Sequence, residues 1–343
     1  MKRTLLILSL LFSLVTFASE ELKKGEFLGA KTVEIFPDWF KTSFLDFNDD
    51  IEEANEENRH VMIYFWQNGC PYCSNLVEEN FHNDGLVSKL NNNFDVIEIN
   101  MWGDRELVDW NGTDFIEKEF SEYMSVQFTP TLVFLNSNGD IVLRMNGYQS
   151  VKKMHHILDY VSQKIYSENS FASYINSLND NTTGQLNDNP IFKNGPHMLS
   201  RSSTLPAQKY LAVFFEQPNC SECDTFHNTL MKLDKTKEML SQMQVVRFNA
   251  ISSEKLLTPG GKRTTASEWY DELKLTYKPA IVFFDKEGVE IIRKDAMFKE
   301  YHLHGIFSYV LSSAYIEQPN FQRYLEDKSD KLRDQGITVD IWK

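Results

Sequence analysis

Cysteine is scarce in this 343-residue chain: four occur, Cys70, Cys73, Cys220 and Cys223, and all of them fall into two Cys-X-X-Cys pairs. That excludes a small disulfide-stapled scaffold, which is dense in cysteine. Basic charge is also in deficit, with 35 Lys and Arg against 49 Asp and Glu and a net charge of −14. Nucleic acid and anionic lipid surfaces both reward basic protein surface, so neither is expected as a partner. Long apolar runs are missing after the first residues. The opening "MKRTLLILSLLFSLVTFASE" sets Lys2 and Arg3 before an apolar run from Leu5 to Phe17, and Thr16 and Ala18 precede a cut before Ser19. The run is shorter than the about 20 residues a spanning helix needs, and the pattern is that of a cleavable signal peptide over residues 1–18. The expectation is an exported, periplasmic protein with no membrane span after leader cleavage.

Aromatic residues, by contrast, are plentiful: 25 Phe and 14 Tyr, within 42% hydrophobic content, supply material for two cores. At about 100–200 residues per domain, the length suggests two domains. An internal repeat agrees with this. Cys73 lies 57 residues before Pro130 and Cys223 lies 56 before Pro279; each proline opens a similar run, "TPTLVFLNSNGDIVL" against "KPAIVFFDKEGVEII". Each run reads as strand, tight turn and strand. The units are expected at 19–176 and 206–316. Between them, 177–205 is rich in Asn, Ser, Gly and Pro without apolar periodicity, which reads as an exposed linker. Residues 317–343 read as an amphipathic helix ending near Gly336 with a short apolar tail, a docked C-terminal element.

An exported cysteine pair usually becomes a structural staple, yet a bridge across two residues closes almost no loop and removes little unfolded-state entropy. As a reversible dithiol the same spacing is well placed. "HVMIYFW" and "KYLAVFFE" read as buried strands running straight into each motif, so the cysteines fall at a strand-to-helix junction. Each unit then continues in the order β-α-β-α-β-β-α. A helix start carries partial positive charge and unbonded N–H groups, which favour a thiolate there. Cys70 is thus the expected nucleophile and Cys73, one turn on, the resolving thiol; Cys220 and Cys223 are their counterparts. Pro71 suits the first helical position, where a missing N–H goes unnoticed, and Tyr72 completes the first motif. A zinc ribbon spaces its pairs by about 15–20 residues, whereas 146 residues separate Cys73 from Cys220. His82, His227, His155 and His156 are not at metal-ligand spacing with the cysteines, so no metal is expected. The acidic run at 49–60 reads as the solvated face of a first helix.

Strand, Cys-X-X-Cys, helix and a later Thr-Pro before a hairpin resemble the thioredoxin fold. More closely, "GCPYC", "INMWGDRE" at 99–106, "FTPTLVF" at 128–134 and the ending "QPNFQRYLEDKSDKLRDQGITVDIW" resemble periplasmic SoxW-type thioredoxin-like proteins, over nearly the whole mature chain. The resemblance implies an α/β chain of two tandem thioredoxin-like domains, each with a central mixed sheet flanked by helices. It also implies that Pro130 and Pro279 are cis and, with Thr129 and Lys278 before them, lie against the redox cysteines and the substrate. The implied activity is thiol–disulfide exchange with protein substrates, supplied by a protein electron donor or acceptor, with no metal, flavin or nucleotide cofactor. A sulfur-oxidation client and an apocytochrome thiol are both implied as clients, and the residues select neither. Departures are clear. Gly69 and Asn219 stand where thioredoxins have tryptophan, and Tyr64 and Phe214 where they have a buried aspartate. In the second unit Lys278 replaces Thr129, Ala280 replaces Thr131 and Ala296 replaces Gly147. Glu222 disfavours a neighbouring thiolate while Lys278 favours one if it reaches the sulfur. The alternative from a different class is a binding or chaperone-like module with vestigial redox pairs.

Overall fold

The computed structural model describes residues 23–178, 183–193 and 195–343. The expected signal segment 1–18 lies outside the described residues, as do parts of the expected linker. A short strand β1 (Phe27–Leu28) precedes the first unit. That unit runs α1 (Phe47–Glu56), β2 (His60–Trp66), α2 (Pro71–Asn75), α3 (Asp84–Asn93) and β3 (Phe94–Asn100). A small hairpin follows, β4 (Glu106–Val108) and β5 (Asp114–Ile116), then α4 (Glu117–Tyr123), β6 (Thr131–Leu135), β7 (Ile141–Asn146), α5 (Val151–Ser162) and α6 (Phe171–Ser177). The second unit repeats the plan with β8 (Leu211–Glu216), α7 (Ser221–Asn228), α8 (Asp234–Ser241), β9 (Gln244–Asn249) and the hairpin β10 (Lys255–Leu257) and β11 (Arg263–Thr265). It continues with α9 (Ala266–Glu272), β12 (Ala280–Phe284), β13 (Glu290–Lys294) and α10 (Glu300–Leu311), and the chain closes with α11 (Phe321–Asp334) and β14 (Val339–Asp340).

Both units have a four-stranded mixed sheet of one order, β3-β2-β6-β7 and β9-β8-β12-β13. The motif-bearing strand is central, parallel to one neighbour and antiparallel to the other. Helices cover both faces, which explains why its sequence is a continuous apolar run rather than an alternating one. In β2, Met62 and Tyr64 face the core that holds the cysteines, while Val61, Ile63 and Phe65 face the opposite core. In β8, Ala212 and Phe214 take one side and Leu211, Val213 and Phe215 the other. Each fully buried Val, Ile or Phe contributes on the order of 1.5–3 kcal/mol.

Local details refine the sequence reading. The helix that follows the first motif is short and does not run unbroken into the next. It widens into a π turn at Leu76–Asn80 and restarts at α3, where Asn83 caps the helix by accepting the Leu86 N–H. The acidic run is only partly solvated, since Asp50 is buried and accepts a bond from Ser43 beside Lys41. The expected linker is largely exposed among its described residues, but parts of it pack on the second unit. Arg247 donates to the Asn187 carbonyl and stacks 4.3 Å above the Phe192 ring, which packs on Phe214. Arg201 is buried, donating to the Leu199, Lys209 and Asp285 carbonyls and to Gln244.

The units are docked reciprocally. Phe128 of the first unit packs within the second unit's core, its ring 5.0 Å from Phe298 and 5.4 Å from Phe321. The N-terminus of α11 is held by Gln127, which accepts the Phe321 N–H and whose carbonyl accepts from Gln322. At the centre Gly147 meets its counterpart Ala296 so closely that a Cβ on Gly147, whose φ is +70°, would lie 2.5 Å from the Ala296 Cβ. The chain ends close over this junction: β1 pairs in parallel with β14, Phe27 opposite Val339, and Arg333 donates to the Gly25 carbonyl.

Candidate active site

The first motif begins where β2 ends and α2 starts. Cys70 is the N-cap residue, with extended backbone, Pro71 opens the helix, and the Cys70 sulfur accepts the Cys73 N–H at 3.1 Å. The two cysteines are disulfide-bonded, with Cα atoms 5.3 Å apart. Cys73 is fully buried and Cys70 is 5% exposed. The Thr129–Pro130 peptide is cis, and the loop it shapes places two Thr129 groups on Cys70: the hydroxyl donates to its sulfur at 3.3 Å and the carbonyl oxygen lies 3.5 Å from it. That hydroxyl accepts from Gln67, which also donates to Gln322 of the second unit and accepts from the Trp102 indole. Tyr64, at the position where an aspartate was missed, donates its hydroxyl to the Cys73 carbonyl. Burial pushes that phenol far above its usual range, so it stays a donor.

The second unit covers this motif. The Tyr72 hydroxyl accepts the Lys299 N–H at the start of α10, and its ring lies 5.3 Å from His302 and 4.9 Å from Trp342. What stays open beside Cys70 is a cleft of about 610 Å³, walled by Trp102, Phe128 and Thr129 on one side and Tyr301, Arg323 and Leu325 on the other. The Arg323 guanidinium stacks 4.4 Å above the Trp102 ring.

The second motif repeats the junction with different surroundings. Cys220 caps α7 and its sulfur accepts the Cys223 N–H at 3.1 Å; the pair is disulfide-bonded. Cys220 is 6% exposed and Cys223 fully buried. The Lys278–Pro279 peptide is cis, and the Lys278 carbonyl lies 3.8 Å from the Cys220 sulfur. The Lys278 ammonium points elsewhere: it donates to Asn176 on α6 and sits 4.9 Å above the Tyr270 ring. Burial, with Lys153 nearby, lowers its pKa to about 8. Lys153, from α5 of the first unit, donates to the Thr276 carbonyl and lies 5.0 Å over the Tyr277 ring, with burial holding it near 8. Beneath α7, buried Glu216 accepts from His227 at 2.9 Å and from Arg247 at 3.3 Å.

All the residues singled out in the sequence are thus gathered at two junctions, Cys70, Cys73, Pro71, Tyr72, Thr129 and Pro130 at one and Cys220, Cys223, Lys278 and Pro279 at the other. Sequence reasoning missed Gln67, Gln322, Lys153 and Lys294. The first three act across the junction between units, which no local pattern reports. Lys294 is one of three charged residues in β13, and only the hairpin register shows that it faces inward. Among the described residues no three His, Cys, Asp or Glu side chains gather as a metal site, and no helix is long and apolar enough to cross a membrane.

Several solved structures match about two fifths of the chain. A thioredoxin-fold protein from Helicobacter pylori is 18% identical, covering 40% of this chain and 93% of its own, with TM-score 0.32. A thioredoxin from Thermus thermophilus is 20% identical, covering 41% and 89%, with TM-score 0.29. A DsbH oxidoreductase is 12% identical, covering 40% and 95%, with TM-score 0.27. No curated protein matches the chain. The thioredoxin-like domain family, however, matches residues 47–162 and again residues 202–310. The chain therefore belongs to the thioredoxin-like domain family and carries that domain twice.

Proposed function

We propose that the chain is a periplasmic thiol–disulfide oxidoreductase of SoxW type that exchanges disulfides with protein substrates through Cys70 and Cys73. The observation that carries this reading is the set of donors on the Cys70 sulfur. In the dithiol form a Cys70 thiolate at this place accepts the Cys73 N–H and the Thr129 hydroxyl, and hydrogen bonds to the charged form lower a thiol's pKa. The thiolate attacks a substrate disulfide, one substrate sulfur leaves as thiolate, and a mixed disulfide forms. Cys73, one turn along the helix, attacks the Cys70 sulfur and releases the second substrate thiolate, so two electrons pass to the substrate and the Cys70–Cys73 bond forms. Run backwards, the same steps oxidise a dithiol client. Each such turnover leaves Cys70–Cys73 oxidised, so another dithiol must return two electrons to the pair before the next one. Export is supported by residues 1–18, and recovery of mature protein beginning at Ser19 tests it.

Reduction of insulin, coupled to a dithiol donor, tests the activity. The intact protein is expected to turn over well above background, and Cys70→Ser to fall to the uncatalysed rate. No turnover above background, and none lost on Cys70→Ser, would favour the binding-module alternative, whereas full turnover by Cys70→Ser would move the activity to Cys220 and Cys223. The altered residues of the second unit and the low exposure of Cys70, 5%, speak for the binding-module alternative.

A further inference from the structure

The two redox junctions differ most at one buried position. Hairpin register sets Lys294 opposite Ile281 in the second unit, as it sets Met145 opposite Leu132 in the first. Met145 belongs to the apolar cluster that contains Cys70 and Cys73, so Lys294 stands on the side of its sheet that carries the motif helix. Only 1% exposed, its ammonium donates to the carbonyl oxygen of cis-Pro279 at 2.6 Å. It also lies 4.7 Å over the Tyr277 ring and 5.2 Å over the Phe226 ring, one turn beyond Cys223. Pro279 is the direct neighbour of Lys278, whose carbonyl touches the Cys220 sulfur.

This cation has no carboxylate at ion-pair distance among the described residues. The acids around it are engaged elsewhere. Asp295 accepts the Thr276 and Tyr277 N–H groups and the Thr276 hydroxyl. Glu216 is held by His227 and Arg247. Glu222 faces Lys153, whose own ammonium lies on the Tyr277 ring. Burial lowers the Lys294 pKa to about 7, against the pull of Asp295 and Glu216. An ammonium buried without a charge partner is destabilising, and a methionine fills the matching place in the first unit without that penalty.

We propose that Lys294 is the counter-ion of the reduced second motif, stabilising the thiolates that form there and making Cys220–Cys223 the stronger electron acceptor of the two pairs. The inference rests on the second motif being redox-active. When a protein dithiol reduces the pair, its thiolate attacks Cys220, the Cys220–Cys223 bond breaks and the electron pair leaves on Cys223. The partner's second thiol then displaces Cys220 as a thiolate. The partner loses two electrons and two protons and becomes a disulfide; the protons pass through solvent, and the new sulfur anions form at a motif whose cis-Pro279 carbonyl already holds the Lys294 side chain. At the matching buried positions the first junction has Met145, Thr129 and His302 where the second has Lys294, Lys278 and Lys153, so no lysine occupies those places around Cys70. Electrons are thereby directed from the Cys70–Cys73 dithiol towards the Cys220–Cys223 disulfide.

Equilibration of the full chain in graded glutathione buffers, with alkylation and mass spectrometry of each pair, tests the proposal. The second pair is expected to be reduced at a thiol-to-disulfide ratio at least tenfold more oxidising than the first, a gap of about 30 mV. Equal or reversed order overturns it. In the Cys70→Ser/Cys73→Ser protein, Lys294→Met is expected to lower the equilibrium constant for reduction at least tenfold and to raise the Cys220 thiol pKa by about one unit. A folded Lys294→Met protein with both quantities unchanged overturns the role of Lys294 and leaves the redox reading standing. A second pair that never cycles while the first does overturns this inference and the redox reading of the second motif together, but not that of the first.

Discussion

Thr129 is the residue whose side chain most directly sets the chemistry of Cys70. Its hydroxyl is oriented by Gln67, which the Trp102 indole holds in turn, so the donor on the sulfur does not rotate freely. A hydrogen bond to a charged group is worth about 1.5–3 kcal/mol, and one pKa unit is about 1.36 kcal/mol. Thr129→Val, which keeps the shape and removes the donor, is expected to raise the Cys70 thiol pKa by roughly one to two units. Alkylation rate against pH, in the reduced Cys220→Ser/Cys223→Ser protein, measures it. The cysteine pairs and the two prolines were legible in the sequence because spacing and repeat display them directly. Gln67 was not, because a glutamine after a strand has no pattern until its partners are in view. Lys294 was not, because a lysine in a five-residue strand reads as solvent-facing unless the register is known.

At the scale of elements, the strand-to-motif junctions were readable because β2 and β8 are buried on both faces and so are apolar throughout. The hairpins β4–β5 and β10–β11 escaped notice, since each strand has three residues and too little period to detect. The first hairpin's turn is made by Asp109, whose carboxylate accepts the Asn111 and Thr113 N–H groups. The loop before β6 has a similar history: nothing in "QFTP" marks Phe128 as part of another unit's core, yet its ring fills the space between Phe298 and Phe321. Truncating a buried Phe typically costs about 3–5 kcal/mol. Phe128→Ala is expected to destabilise by that order and to make the two units unfold separately, visible as a broadened or split urea transition where the unaltered chain gives one.

For the molecule as a whole, the docked arrangement carries its own pH dependence. His302, packed between Tyr72 and its own helix, is held down to about 4 by burial, and its Nδ1 has no partner among the described residues. An exposed histidine titrates near 6.5, so the open or unfolded chain binds more protons than the docked one between about 6.5 and 4. Docking is therefore at full strength above the upper limit and weakens as pH falls through this window. His60, also lowered to about 4 by burial, adds a parallel loss within the first unit. The urea midpoint is expected to fall from pH 7 to pH 4.5, and to fall less in His302→Gln. An unchanged slope in that variant would show that His302 is not the linked group.

The cover over the first motif is part of the same polypeptide, and this alters how any client reaches Cys70. A tethered occupant competes at an effective concentration on the order of millimolar, whatever the dilution of the protein. Weak encounters are screened out. On the proposed function, entry requires binding the cleft tightly enough to displace Tyr72 from α10, or threading an extended segment past it, so selectivity would be exercised before any sulfur is touched.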